Sequence, residues 1–325
     1  MKPLFKVLLA VLVVLVVSAI GGYFYVRKQF QPPVNQLTVT QLPATSSFVW
    51  DADTTARPAI PHSAMLVPVT LPGCARTCYL QFDTGAPYSV LYDNPLAALR
   101  VQYPATSTTL LPQADGVHNF RYTIGKAQAQ ARTIRVLHGG ATQLPADSTA
   151  PFVIGTLGSD VLAEQVLVID YANRQFNLYA AVPDSLARRA TYVPMSFDSR
   201  RVMLNMGLQG ESKQMLFDSG SSAFALITNQ STWKSLARPA APVQTAAVKS
   251  WNKTLTSYTV PTAAALQVGP LTMPLRTVTY IEGMDWWQMM LTRFSGLGGM
   301  LGNEPFVEHT VILDVAGGRF GVVQK

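Results

Sequence analysis

Met215-Leu216-Phe217-Asp218-Ser219-Gly220-Ser221-Ser222-Ala223-Phe224-Ala225-Leu226 decides the reading of this chain, because Leu80-Gln81-Phe82-Asp83-Thr84-Gly85-Ala86-Pro87 follows the same plan earlier on. In each, an apolar run ends on an Asp, a hydroxyl residue and a Gly, and small or apolar residues follow. The surroundings repeat too. Both halves carry an aliphatic-Gly pair, Ile124-Gly125 and Val268-Gly269, and an Arg-Thr-aliphatic step beyond it, Arg132-Thr133-Ile134 and Arg276-Thr277-Val278. Both then reach a Leu-Gly, Leu157-Gly158 and Leu301-Gly302, 33 residues after the first Gly (158 − 125 and 302 − 269). An Asp closes each series, Asp170 and Asp314. Landmarks in register on this scale indicate an internal duplication.

The body of the chain reads as all-β. Runs such as Ala64-Met65-Leu66-Val67-Pro68-Val69-Thr70 and Cys78-Tyr79-Leu80-Gln81-Phe82 are short, β-branched or aromatic, and bounded by Gly and Pro. Val202 to Leu208, the turn Gln209-Gly210-Glu211-Ser212 and Lys213 to Phe217 repeat that hairpin in the second half. Helical patches are confined to Asn94–Arg100, Asp160–Gln165 and Gln230–Ala237. Asp170 and Asp314 each follow an apolar strand and precede a turn, and are read as turn residues.

On these motifs the chain resembles the pepsin-like and retropepsin-like aspartic peptidases, over roughly residues 64–325. The stretch around Asp218 fits the family's active-site pattern throughout; the one around Asp83 departs only in the polar Gln81. Leu157-Gly158 and Leu301-Gly302 resemble the apolar-Gly element that passes beneath each active-site loop. The resemblance implies two homologous β-barrel lobes in one chain, a catalytic dyad of Asp83 and Asp218, and hydrolysis of peptide or protein substrates without cofactor, metal or an obligatory dimer; the alternative on the same scaffold is a catalytically silent peptide-binding module. It also implies that Thr84 and Ser219 lock the two loops together, with Gly85 and Gly220 keeping them tight.

The residue types suit that chemistry on their own. Two carboxylates within hydrogen-bond reach do not both ionise cheaply, so the pair holds one proton over a range of pH. One then acts as base toward a water while the other supplies a proton. Ala86 follows the first triplet where Ser221 follows the second. Lacking a hydroxyl beside it, Asp83 is expected to have the less stabilised anion, which places the optimum at mildly acidic pH.

A flap over the cleft is expected from the segments preceding Gly125 and Gly269. In the first, Ala114-Asp115-Gly116-Val117-His118 reads as a hairpin tip, and Gly116 and Tyr122 are the flap candidates. In the second, Lys249-Ser250-Trp251-Asn252-Lys253 occupies the matching place. For Tyr122 and Trp251 the alternative to a flap role is packing on the sheet. Met284-Asp285-Trp286-Trp287-Gln288-Met289-Met290 has three readings: an apolar subsite wall containing Trp286 and Trp287, core between the lobes, or a contact with a membrane surface.

Val7 to Val26 is a run of 20 residues without a charge, closed by Arg27 and Lys28. It is long enough to span a bilayer, and aromatic Tyr23-Phe24-Tyr25 follows the small residues where a cleaved signal would have a polar mature start. The expected organisation is an anchor at 1–28, a Pro- and Thr-rich tether at 29–62, a first lobe at 63–182, a linker at 183–200 and a second lobe at 201–325. The tether segment also has room for a removable prosegment, though it lacks a basic cluster to neutralise an acidic cleft. Lys2 and Lys6 bias the N-terminus toward the cytoplasm, with the body of the chain outside.

The formal charge is +7, but residues 1–28 hold four basic and no acidic residues, which leaves +3 (7 − 4) for the rest. With no basic cluster beyond the anchor, a nucleic-acid partner is not expected. Four scattered histidines and two cysteines lack the spacing of a metal site. Cys74 and Cys78 flank a three-residue turn, open to a disulfide in an oxidising compartment or to a pair of free thiols.

Overall fold

The computed structural model describes residues 31–56, 59–250, 253–283 and 297–324, with Ser18, Gly21 and Gly22. Met1–Val34 and Asn35–Lys325 are separate compact units. The expected anchor lies outside the described residues except for those three, and among the described residues no helix is long and apolar enough to cross a membrane. The second unit is mostly β, as the alternation of its sequence requires.

In its first half the strands are β1 (Leu37–Thr40), β2 (Ala44–Ser47), β3 (Val49–Asp53), β4 (Ile60–Val69), β5 (Cys78–Asp83) and β6 (Val90–Tyr92). Helix α1 (Asp93–Gln102) follows, then β7 (Val117–Ile124), β8 (Ala127–Leu137), β9 (Val153–Gly158), β10 (Val166–Asp170) and β11 (Gln175–Tyr179). A short helix, α2 (Asp184–Ala187), leads to β12 (Ala190–Ser196), β13 (Met203–Leu208), β14 (Glu211–Phe217) and β15 (Leu226–Thr228). The chain continues through α3 (Gln230–Leu236), β16 (Gln244–Ser250), β17 (Lys253–Pro261), β18 (Ala265–Val268), β19 (Leu271–Pro274), β20 (Thr277–Glu282), β21 (Leu297–Leu301), β22 (Thr310–Asp314) and β23 (Arg319–Val323).

The duplication is visible in the pairing. Strand β5 runs parallel to β9, which is antiparallel to β6; β14 runs parallel to β21, which is antiparallel to β15. Strands β10 and β22, equivalent by sequence, pair antiparallel with Val166 opposite Asp314 and Asp170 opposite Thr310. The aspartate of each therefore faces the first residue of the other, which is the register a local two-fold axis through Val168 and Ile312 produces. Around this pair β2-β11-β10-β22-β23-β12 form a continuous antiparallel path drawn from both halves.

Packing against that path fixes the strands that carry the two triplets. β5 alternates with Cys78, Leu80 and Phe82 buried, and Gln81 falls on the less buried face, so its polarity carries little desolvation cost. Phe82 meets Phe176 of β11 edge-on at 5.1 Å, and Phe217 lies 5.9 Å from Phe320 of β23. Both Phe side chains are fully buried, each contributing about 2–3 kcal/mol. Each half thus anchors the end of its triplet strand through a Phe, one residue before the Asp, on the equivalent strand of the shared sheet.

Two expected boundaries are corrected. The described residues of the expected tether, 31–56 and 59–62, are largely strand: β1 pairs with β8, β2 with β11 and β3 with β4. Ser and Thr alternate with buried Leu37, Ala44 and Phe48, and the partners of β1 and β2 lie far along the chain, so no local hairpin signal marks those two strands. The expected linker 183–200 holds only α2 and a short turn outside strand structure, because β12 pairs with β23 over Ala190↔Val323 to Pro194↔Arg319. At the β13–β14 connection Gln209 and Gly210 both have positive φ, the two-residue turn whose twist suits a hairpin.

Candidate active site

Strand β5 ends on Asp83, Asp218 follows directly on the end of β14, and the two strands deliver the triplets to each other. The contact is reciprocal. Thr84 N donates to Ser219 Oγ and Ser219 N donates to Thr84 Oγ1, both at 2.9 Å. Thr84 Oγ1 donates to the Phe217 carbonyl at 2.7 Å, and Ser219 Oγ to the Phe82 carbonyl at 3.1 Å. Thr84 and Ser219 are fully buried, so every polar group of this lock is satisfied across the two halves.

The glycines bring the carboxyls together. A Cβ on Gly85 would stand 2.6 Å from Asp218 Oδ1, and one on Gly220 would stand 2.5 Å from Asp83 Cγ. Each carboxyl thus rests on the glycine of the other triplet. Asp83 Oδ1 accepts from Gly85 N at 2.8 Å and Ala86 N at 3.2 Å; Asp218 Oδ1 accepts from Gly220 N at 2.9 Å. The difference between the loops falls where Ala86 and Ser221 differ. Ser221 Oγ donates to Asp218 Oδ2 at 2.8 Å, and the Ala86 side chain has no donor for Asp83.

Burial pushes the Asp83 carboxyl up to about 8, reinforced by the charge of Asp218 and only partly opposed by the Gly85 and Ala86 amides. By surface area Asp83 is half-buried, so the carboxyl is enclosed by the two loops while part of it stays open to solvent. One carboxyl of the pair therefore carries a proton in the range where a free aspartate is ionised.

Beneath each loop passes the Leu-Gly of the same half. Gly158 is the register partner of Asp83, and a Cβ there would come within 2.5 Å of the Tyr88 backbone. Gly302 likewise sits against the Ser221 and Phe224 carbonyls. The braces behind the loops were not legible in the sequence. In the first half the buried Asp160 accepts from Ser89 N at 2.8 Å and Ser89 Oγ at 2.7 Å, and the same hydroxyl accepts from Gly158 N at 3.0 Å. Burial raises the Asp160 carboxyl while the Ser89 bonds oppose that shift. In the second half Asn303 Nδ2 donates to Ser219 O at 3.2 Å and Ser222 Oγ at 3.0 Å, and Tyr171 OH donates to Asn303 Oδ1 at 2.7 Å. The recurring cue is a polar residue just after each Leu-Gly, where Asp160 reads only as a helix start.

The flap candidates separate. Gly116 is in the turn Gln113–Gly116 with φ of +137°, and a Cβ there would collide with the Ile134 carbonyl on β8, which explains the glycine. Tyr122 is not a flap residue: it is 2% exposed, and its ring lies 5.3 Å from that of Phe120 within the core. The β7 alternation that puts Phe120 inward puts Tyr122 inward too. In the second half the flap-position hairpin is β16–β17, paired from Gln244↔Thr259 to Ser250↔Lys253. Trp251, Trp286 and Trp287 lie outside the described residues.

Cys74 and Cys78 are free thiols, with no disulfide between them. Both Sγ atoms point at the Arg76 carbonyl, at 3.4 and 3.8 Å, and burial pushes the Cys78 thiol up. The buried Arg76 between them fastens the segment leading into β9 through the Pro145, Asp147 and Ala150 carbonyls. A depression of about 930 Å³ on the outer face of β1, β7 and β8, with Arg121 and Arg132 in its lining, contains neither aspartate. The paired-carboxylate chemistry is therefore not there. No family model matches the chain, and no curated protein sequence matches it either.

Proposed function

We propose that this chain is an aspartic endopeptidase that hydrolyses peptide bonds with a water held between Asp83 and Asp218. The observation that carries the reading is the reciprocal placement of the two carboxyls, each on the other triplet's glycine, with the Thr84–Ser219 lock behind them. On this reading the two halves are lobes of the pepsin and retropepsin kind, and a peptide lies in an extended form between them.

Asp218, accepting from Gly220 N and Ser221 Oγ, is the base; Asp83, holding the proton, is the acid. The water oxygen bonds to the peptide carbonyl carbon as its proton passes to Asp218. The Asp83 proton passes to, or hydrogen-bonds, the carbonyl oxygen as charge develops there. In the second step the amide nitrogen takes the proton from Asp218, the C–N bond breaks, and a proton returns to Asp83. The proton count of the dyad is restored in each turnover, and no bond forms between enzyme and substrate. Because the reaction needs the proton on Asp83, the rate falls as pH rises past the Asp83 titration near 8.

We further propose that Val7 to Val26 anchors the chain in a membrane with the peptidase domain outside the cytoplasm. The supporting features are the uncharged length of that run and the flanking lysines.

The mechanism is tested by cleaving a mixed peptide pool with the full chain in water enriched in oxygen-18, with hydroxylamine added. Direct water attack predicts one heavy oxygen in each new carboxylate and no hydroxamate. Trapped hydroxamate would overturn the mechanism, and folded protein that cuts nothing across acidic to neutral pH would overturn the activity.

A further inference from the structure

We propose that Arg135, held by Tyr88 at the rim of the first active-site loop, selects peptides carrying an acidic side chain; this rests on the peptide-cleft reading above. Tyr88 follows the triplet of Asp83 closely, and its backbone lies over Gly158, the register partner of Asp83. Its phenol oxygen accepts from Arg135 Nη1 at 2.9 Å, and the guanidinium stands 5.6 Å from its ring centroid. The side chain is thus oriented by a hydrogen bond and by the ring face together, a use to which guanidinium is suited and ammonium is not.

Arg135 also lies under the turn that the first half presents in the flap position. A Cβ on Gly116 would approach Arg135 Cα to 3.2 Å. Strand β8 carries Arg135 alongside Val90 of β6, the strand that continues from the Asp83 loop. Arg135 therefore joins the loop that holds Asp83, through its guanidinium on Tyr88, to the turn at Gly116, through its backbone, and an extended peptide on the dyad would run along that rim.

The residue is exposed, and among the described residues it has no carboxylate partner. The acid on the nearby turn, Asp115, is held by His118 Nε2 at 2.7 Å, and Asp93, at the start of α1, is held by His138 Nδ1 at 2.8 Å. Tyr88 uses one donor of Arg135, and the others remain for a fork of hydrogen bonds to a carboxylate. An acidic side chain there would be favoured about fivefold over its amide, as for a partly exposed ion pair, and less so in high salt.

The test walks a single Asp or Asn through otherwise identical extended peptides and measures kcat/KM for the full chain, for Arg135→Gln, Arg135→Glu and Tyr88→Phe. One position should prefer Asp by about fivefold at low salt, a preference lost in Arg135→Gln, weakened in Tyr88→Phe and turned toward Lys in Arg135→Glu. Cleavage with no acidic preference, or with one unchanged in all three variants, overturns the inference and leaves the peptidase reading standing. If nothing is cut, binding of the same labelled peptides to the wild-type chain and to Arg135→Gln decides. An acidic preference that Arg135 controls keeps the inference and removes the peptidase; no binding at all overturns both.

Discussion

Replacing Ala86 with Ser should give Asp83 the partner that Ser221 already gives Asp218. The two loops have the same turn: Ala86 N donates to the Asp83 carbonyl at 3.2 Å and Ser221 N to the Asp218 carbonyl at 3.1 Å. A hydroxyl on residue 86 is therefore positioned to reach the free oxygen of Asp83 as Ser221 Oγ reaches Asp218 Oδ2 at 2.8 Å. A hydrogen bond to the ionised form favours that form, so the Asp83 titration moves down from about 8. For a half-buried hydroxyl–carboxylate bond worth about 1.4 kcal/mol the shift is about one pH unit. The assay is kcat/KM against pH for the full chain and for Ala86→Ser, with Ala86→Cys as a near-isosteric control whose thiol is a weak donor. The alkaline limb should move to lower pH by about one unit in the Ser variant and by little in the Cys variant. A limb that stays in place, or moves up, would refute the reasoning that the missing hydroxyl sets Asp83 apart.

Three further outcomes follow from the same geometry. Asp83 titrates higher in the folded chain than in the unfolded one, so its contribution to stability is full below pH 3.8 and lost as pH rises toward 8; Asp83→Asn removes that loss and should raise Tm at pH 8 by roughly 5 °C relative to wild type, with a smaller difference at pH 4 in thermal melts. Thr84→Ala strips the buried lock of a donor and an acceptor and leaves Ser219 N unpartnered, which should cost about 2–4 kcal/mol in urea unfolding; an unchanged midpoint would mean the lock is not formed. Gly220→Ala puts a Cβ 2.5 Å from Asp83 Cγ, so cleavage should fall by about 100-fold or more while circular dichroism stays native; wild-type rates would show that the carboxyls do not rest on the glycines.

What the sequence made legible is what repeats locally. The triplets, the Leu-Gly pairs and the contrast between Ala86 and Ser221 stand in short windows, and each reappears at the interface of the two loops. What stayed hidden depends on partners far along the chain. β1 joins Leu37 to Ala131, and β2 joins Ser47 to Gln175, so a segment rich in Ser, Thr and Pro reads as a tether until its pairing is seen. The braces were hidden for the same reason. Asp160 meets Ser89 and Asn303 meets Ser222 only because the Leu-Gly strand returns beneath the loop. Between the two readings of Tyr122, flap or packing on the sheet, the alternation of β7 decides for packing. Arg135 gave no signal at all, since its significance comes from Tyr88 across a parallel strand pair.

The central claim is that one carboxyl from each half forms a single catalytic unit. It is tested most directly by digesting a mixed peptide library with the full chain from about pH 3 to pH 7, beside Asp83→Asn and Asp218→Asn. The account predicts cuts by the wild type that vanish in both variants. Cuts that survive either substitution would contradict it, because neither carboxyl alone could then be half of the machinery.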